Sequence, residues 1–168
     1  RGQESAGIAA SDGTEVRITK AMGHVADAFS EKALEKLPGT IAIGHVRYST
    51  AGDSKVDNAQ PILIECVHGQ VAVAHNGNLV NASELKDELG RHGAIFQTST
   101  DTEVILHLYA RSRAMVTDDA VVEAISHVQG AFSLALMTKD RLIAIRDPHG
   151  FRPLALGRLG DAVIVCSE

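Results

Sequence analysis

Three polar residues in this chain have the chemical types needed to hold a free amino acid and act on its side chain: Asn76 in "HNGNL", Arg47 closing "TIAIGHV", and Asp101 in "STDTEV". An Asn76 side-chain amide and the Gly77 backbone N–H, side by side, can meet a developing oxyanion, an arrangement worth a few kcal/mol per donor. The plainer reading of Asn76-Gly77 is a turn in which glycine supplies a positive φ. A hairpin is excluded, because "NASELKDELGRHG" follows, and its Leu85 and Leu89, four apart, predict a helix. Asn81 with Glu84 reads as the capping pair of that helix, and Gly90 and Gly93 as its stops. Asn76-Gly77 is therefore expected in a strand-to-helix loop. Arg47 opens a long polar connection, Arg47 to Gln60. Its planar fork suits a carboxylate, although a charged residue also commonly marks where an apolar strand reaches solvent. Thr100 and Glu103 form a T-x-x-E capping box that places Asp101 in a first helical turn. A carboxylate held there can serve the cap or hold an ammonium group. With Arg47 for a carboxylate and Asp101 for an amine, the pair suits a free amino acid.

A fourth segment, "RDPHGFRPLALG", Arg146 to Gly157, has the Pro and Gly of a tight loop and reads as a hairpin with a structured tip. His149 and Arg152 on it are candidates for a partner contact. His24, His92, His107 and His127 are scattered on helices or turns with no metal-ligand spacing.

The elements that must position these groups are mostly strands. "GIAAS", "EVRITK", "TIAIGHV", "PILIECV", "QVAVAHN", "AFSLALMT", "RLIAIRD", "PLALGRL" and "AVIVCS" have strand patterns, several joined by short turns such as Asp12-Gly13, His68-Gly69 and Lys139-Asp140. Such short connections imply antiparallel pairing. Helices are expected at "SEKALEKL" up to Pro38-Gly39, at Glu84 to His92, at Asp101 to Ala114, and at "AVVEAISHVQ" after Thr117-Asp118-Asp119. Strands on both sides of a helical pair predict two antiparallel sheets packed face to face with helices outside. A chain of 168 residues, 45% hydrophobic and 22% charged, fits one domain. The net charge of −5 and the lack of a basic cluster argue against nucleic acid or a membrane surface as partner. No apolar run is long enough to span a bilayer, and "RGQESAGIAASDG" has no signal-peptide core, so the expected compartment is the cytoplasm. Cys66 and Cys166 sit in apolar runs and are expected to be buried thiols without a disulfide.

The ordered set "RGQESAG", "GHVRYSTAG", "NAQP", "HNGNLVN", "STDTEV" and "RDPHGFRPLALG" resembles the class II glutamine amidotransferase domain of the amidophosphoribosyltransferase family over nearly the whole chain. The resemblance implies an α+β fold of the N-terminal-nucleophile hydrolase type, a four-layer α/β/β/α sandwich of two antiparallel sheets spanning 1–168. It implies hydrolysis of glutamine's side-chain amide, with ammonia passing to a C-terminal phosphoribosyltransferase domain that turns phosphoribosyl pyrophosphate into phosphoribosylamine, the first step of purine synthesis. By the same resemblance, Asn76 and Gly77 form the oxyanion hole, Arg47 takes the α-carboxylate and Asp101 the α-amine. Thr50 and His75 line the pocket, Tyr48 relays the state of the loop that orders over glutamine, and Arg1 lies near the nucleophile. No cofactor is implied for this domain. Mg2+ accompanies phosphoribosyl pyrophosphate in the second domain, an iron–sulfur cluster is an option for the full enzyme, and the full-length protein is expected to be a homo-oligomer. Glucosamine-phosphate synthases, which carry "RGYDSAG", "RWATHG" and "NAHP", fit less well than this chain's Gln3-Glu4, Tyr48-Ser49-Thr50-Ala51 and Gln60.

One departure matters. The family nucleophile is a cysteine at the mature N-terminus, whose α-amine, with a pKa of about 7.7–8.0, serves as base. Position 1 here is Arg1, and Cys66 and Cys166 lie mid-chain without a free α-amine. The expectation is a fragment incomplete at its N-terminus, inactive alone, with one sheet short of a strand and exposing an edge. The alternatives are a non-catalytic glutamine-binding or regulatory module, and the glutaminase domain of another class II amidotransferase.

Overall fold

The computed structural model describes residues 4–48 and 55–168. Strands β1 (Ser5–Ser11), β2 (Val16–Met22) and β3 (Ile41–Arg47) form an antiparallel sheet in the order β2-β1-β3, with helices α1 (Val25–Ala28) and α2 (Glu31–Leu34) between β2 and β3 in the chain. Strands β4 (Ile62–Cys66) and β5 (Gly69–Leu79) follow, then helices α3 (Ala82–Arg91), α4 (Glu103–Arg111) and α5 (Thr117–Ser126). Strands β6 (Gly130–Thr138) and β7 (Leu142–Arg146) complete a second antiparallel sheet, β4-β5-β6-β7, and β8 (Ala155–Leu159) pairs with β9 (Ala162–Cys166) apart from both.

Alternation along β5 builds the layers. Val71 and Val73 point to one face and pack with Leu85, Leu89, Val104, Ile105 and Tyr109 of the helices. Ala72 and Ala74 point to the other and meet Ala9, Val16 and Ile43 of the first sheet and Met137 of β6. The strand is covered on both faces, as its continuous apolar run predicts. Leu85 and Leu89, one turn apart on α3, are both buried, each contributing roughly 1.5–3 kcal/mol by leaving water. The sandwich of two antiparallel sheets is therefore the predicted one. The layer outside β4-β5-β6-β7 is built by α3, α4 and α5, whereas "SEKALEKL" shrinks to the four residues of α2, started by Ser30, whose hydroxyl accepts from the Ala33 N–H.

Four expectations are corrected. Asn76-Gly77 is not in a strand-to-helix loop: β5 runs on to Leu79, with Asn76 opposite Ser133 and Gly77 opposite Phe132 of β6. Asn81 does not cap α3, because its amide donates to the His127 carbonyl and accepts from the Gln129 N–H, stitching α3 to the approach of β6. α4 begins at Glu103, so Thr100 and Glu103 form no capping box and Asp101 precedes the helix. The Glu103 carboxylate instead accepts from the N–H groups of Gln97 and Thr98 and from the Thr98 hydroxyl. Finally, "RDPHGFRPLALG" is no hairpin but a crossing between two sheets. There the Asp147 carboxylate gathers the N–H groups of Phe132, His149, Phe151 and Arg152, and Arg146 donates to the carbonyls of Gly150 and Arg152.

The β8–β9 hairpin is largely exposed, with Leu156 77% and Leu159 73% accessible. Cys166 is consequently exposed and Cys66, at the end of β4, is half-buried, so neither is the buried thiol the sequence suggests. Among the described residues, no helix is long and apolar enough to cross a membrane.

Candidate active site

Where β5 outruns its neighbour β4, the two sheets part and leave a cleft of about 780 Å³, within the range usual for small-molecule sites. The ends of β3 and β5, the residues before α4, Arg152, and Cys166 to Glu168 border it.

The hydrogen-bond parity of β5 decides what faces this cleft. In an antiparallel strand a residue's N–H and C=O point to the same side, and successive residues alternate. Phe132 gives its N–H to the Asp147 carboxylate and its C=O to the Asp147 N–H, so its backbone faces away from β5. Gly77, opposite Phe132, therefore turns its own N–H outward, while Asn76 bonds with Ser133. The neighbours of the same parity confirm the direction: the His75 N–H goes to Gln60 Oε1 at 2.7 Å and the Leu79 N–H to Asp101 Oδ2 at 2.9 Å. The Gly77 N–H between them has no acceptor among the described residues. The Asn76 side chain continues the row of Ala72 and Ala74 into the open end of the layer, and its amide is likewise unpartnered among the described residues. Two unoccupied donors on adjacent residues border one cleft.

Glycine is required at 77. Its φ is +155°, and a Cβ there would lie 2.1 Å from the Ala131 carbonyl oxygen and 2.7 Å from Phe132 Cα.

Arg47, at the last position of β3, is buried, and its Nη1 donates to Glu4 Oε1 at 2.9 Å. A guanidinium held beside a carboxylate shows what its fork is suited to hold. Two residues back, His45 donates from Nε2 to the His75 carbonyl at 3.0 Å, which ties β3 to β5. Burial pushes the His45 imidazole down from 6.5 to about 4. The native protein then binds a proton less readily than the unfolded chain, so this contribution to stability is complete above pH 6.5 and fades as the pH falls to about 4, by up to about 3 kcal/mol. Urea midpoints measured across that window are expected to fall more steeply for the wild type than for His45→Gln. Equal slopes would remove the imidazole as the responsible group.

Asp101 borders the same cleft. Burial pushes its carboxyl up, but the hydrogen bond and charge of His75 and the N–H of Leu79 outweigh this and hold it below the ordinary carboxylate range. It is anionic at neutral pH and adds negative charge to the cleft that Arg47 also borders.

The structure thus brings Arg47, Asn76, Gly77 and Asp101 to one cleft, as the sequence predicts. His75 borders the cleft, but its ring turns to the helical face, where Nδ1 lies 3.0 Å from Thr102 Oγ1. Tyr48 stands at the mouth, 76% exposed. Thr50, Arg1 and the 49–54 part of the loop lie outside the described residues. His45, Gln60 and Thr102 were not singled out from the sequence; the one available signal was that Gln60, in "NAQP", sets the chain apart from a relative.

Residues 45–168 match the family model described as a glutamine amidotransferase domain. The chain is 51% identical to the protein named amidophosphoribosyltransferase 2, chloroplastic, of Arabidopsis thaliana, over all of its own length and 30% of that protein's. It is 46% identical to the amidophosphoribosyltransferase of Bacillus subtilis, over its whole length and 36% of the relative's. A solved glutamine phosphoribosylpyrophosphate amidotransferase from B. subtilis, complexed with ADP and GMP, matches with a TM-score of 0.92 and 44% identity, over 99% of this chain and 36% of that one. The chain spans about a third of the length of these relatives. The structure of a protein described as a predicted glutamine amidotransferase from Pseudomonas aeruginosa shares the fold, with a TM-score of 0.52 at 17% identity over 96% of this chain and 70% of that one.

Proposed function

Because the chain belongs to the glutamine amidotransferase domain family, we propose that its cleft binds free glutamine and releases ammonia from the side-chain amide. The observation that carries this reading is the outward Gly77 N–H beside the unpartnered Asn76 amide, with a buried cation and an anion bordering the same cleft. Arg47 takes the α-carboxylate and Asp101 the α-ammonium. This leaves the side-chain carbonyl to meet Asn76 and Gly77. When a thiolate adds to the amide carbon, the carbonyl oxygen becomes an anion and both donors strengthen their hold on it, so they favour the transition state over bound substrate. The tetrahedral species collapses with the amide nitrogen leaving as ammonia after protonation, and water then releases glutamate from the thioester.

The nucleophile we assign is a cysteine carrying its own α-amine, delivered by chain outside these 168 residues. Cys66 is absent from the cleft's lining, and Cys166, which borders it, turns its thiol to the Glu168 carbonyl at 2.7 Å. We assign the ammonia to phosphoribosyl pyrophosphate, bound with Mg2+ in a C-terminal phosphoribosyltransferase domain, in a cytoplasmic homo-oligomer. The names of the relatives support the phosphoribosyl acceptor, and their greater length supports a further domain.

The test uses the complete polypeptide, with glutamine-dependent and ammonia-dependent phosphoribosylamine formation measured side by side. Arg47→Ala and Asp101→Ala are each expected to lower kcat/KM for glutamine about 10- to 100-fold, as befits loss of a hydrogen bond to a charged group, while leaving ammonia-dependent activity intact. Equal loss of both activities would indicate a folding defect. Glutamine binding without ammonia release would move the protein to the non-catalytic reading.

A further inference from the structure

Thr102 occupies the N-cap position of α4, yet its side chain caps nothing. It is fully buried, and its hydroxyl lies 3.2 Å from Gln60 Nε2, 3.0 Å from His75 Nδ1 and 3.4 Å from Asp101 Oδ1.

One assignment of the protons makes all of these contacts hydrogen bonds. A backbone N–H only donates, so Gln60 Oε1 must be the acceptor of the His75 N–H, and Gln60 Nε2 is then the group that donates to Thr102. A hydroxyl has one proton and two lone pairs. The Asp101 carboxylate only accepts, so the Thr102 proton goes to it, and the second lone pair is left for a proton on His75 Nδ1. The other Asp101 oxygen accepts from the Leu79 N–H. The bonds form a closed ring, from the His75 backbone through Gln60, Thr102 and Asp101 to the Leu79 backbone, with Gly77 midway along the strand segment that completes it.

We propose that Thr102 and Gln60 are positioning residues: by locking Asp101 to the two β5 amides that flank Gly77, they set the distance between the subsite for the ligand's α-amine and the oxyanion donors. This rests on the cleft being a glutamine site. Without the Thr102 hydroxyl, Asp101 keeps its bond to the Leu79 N–H and its 3.6 Å approach to His75 Nδ1 but loses the group that ties it to Gln60, so a substrate with an amine loses alignment and one without an amine does not.

The experiment compares glutamine with glutaramate, the same molecule lacking the α-amine, as substrates of the complete polypeptide. Thr102→Val is expected to raise KM for glutamine about tenfold with a smaller change in kcat, the scale of one weakened charge-assisted hydrogen bond. Its kcat/KM for glutaramate and its ammonia-dependent activity are expected to stay at wild-type values, and Thr102→Ser to restore the glutamine KM. If the valine variant does not fold, Thr102→Cys, with a weaker donor, is expected to show the same selective rise at smaller size. Parallel losses on both substrates, or an unchanged glutamine KM, would overturn the proposal. A wild-type protein that releases no ammonia from glutamine would instead overturn the reading of the cleft.

Discussion

Asn76→Ala is expected to lower glutamine-dependent turnover by about 10²–10³, the usual effect of removing one oxyanion donor. The side-chain amide has no partner among the described residues and stands at the open end of the sheet layer, so its loss should leave the unfolding midpoint near that of the wild type. Ammonia-dependent synthesis should also persist, because the cleft takes no part once ammonia is supplied. The residual glutaminase rate would come from Gly77, whose N–H no side-chain truncation can remove. Steady-state ammonia release checks the expectation, and unchanged turnover would return Asn76 to a purely structural role.

Gly77→Ala should act on both fold and chemistry. The new Cβ would sit 2.1 Å from the Ala131 carbonyl oxygen, a backbone atom that can yield only by parting β5 from β6. The φ of +155° adds strain for any other residue. Steric crowding and backbone strain together suggest a loss of about 2–6 kcal/mol, a large share of the 5–15 kcal/mol typical of a domain. Gly130→Ala separates the two effects. Its Cβ would meet the Asn78 carbonyl oxygen at 2.2 Å, across the same strand pair but away from the donors. Denaturation should show comparable destabilisation in both variants, whereas activity per folded molecule should fall much further for Gly77→Ala. Similar activity per folded molecule would mean that the Gly77 N–H does not contact the reacting oxygen.

Local signals found what local physics decides. The Leu85–Leu89 spacing located α3, the two-residue turns located the antiparallel pairs, and side-chain chemistry picked out Arg47, Asn76 and Asp101. Two of the misreadings share a cause, a distant partner that outcompetes a near one. Asn76-Gly77 has the composition of a turn, but β6 extends the strand through it. Asn81 has capping chemistry, yet its amide bonds the approach of β6, whereas Glu103 turns back to the N–H groups of Gln97 and Thr98 just upstream. Gln60, Thr102 and His45 gain their roles only when β3, β5 and the start of α4 meet, and no spacing along the chain records that meeting.

The Gly77 donor belongs to the main chain, and strand register rather than residue identity aims it. Drift in the side chains around the cleft can therefore alter what is bound while the donor stays in place; only proline at 77 would delete the N–H itself. One of the two oxyanion donors thus lies under a different hereditary control from recognition. A lineage built on this strand can exchange the molecule it accepts while this backbone donor stays in place.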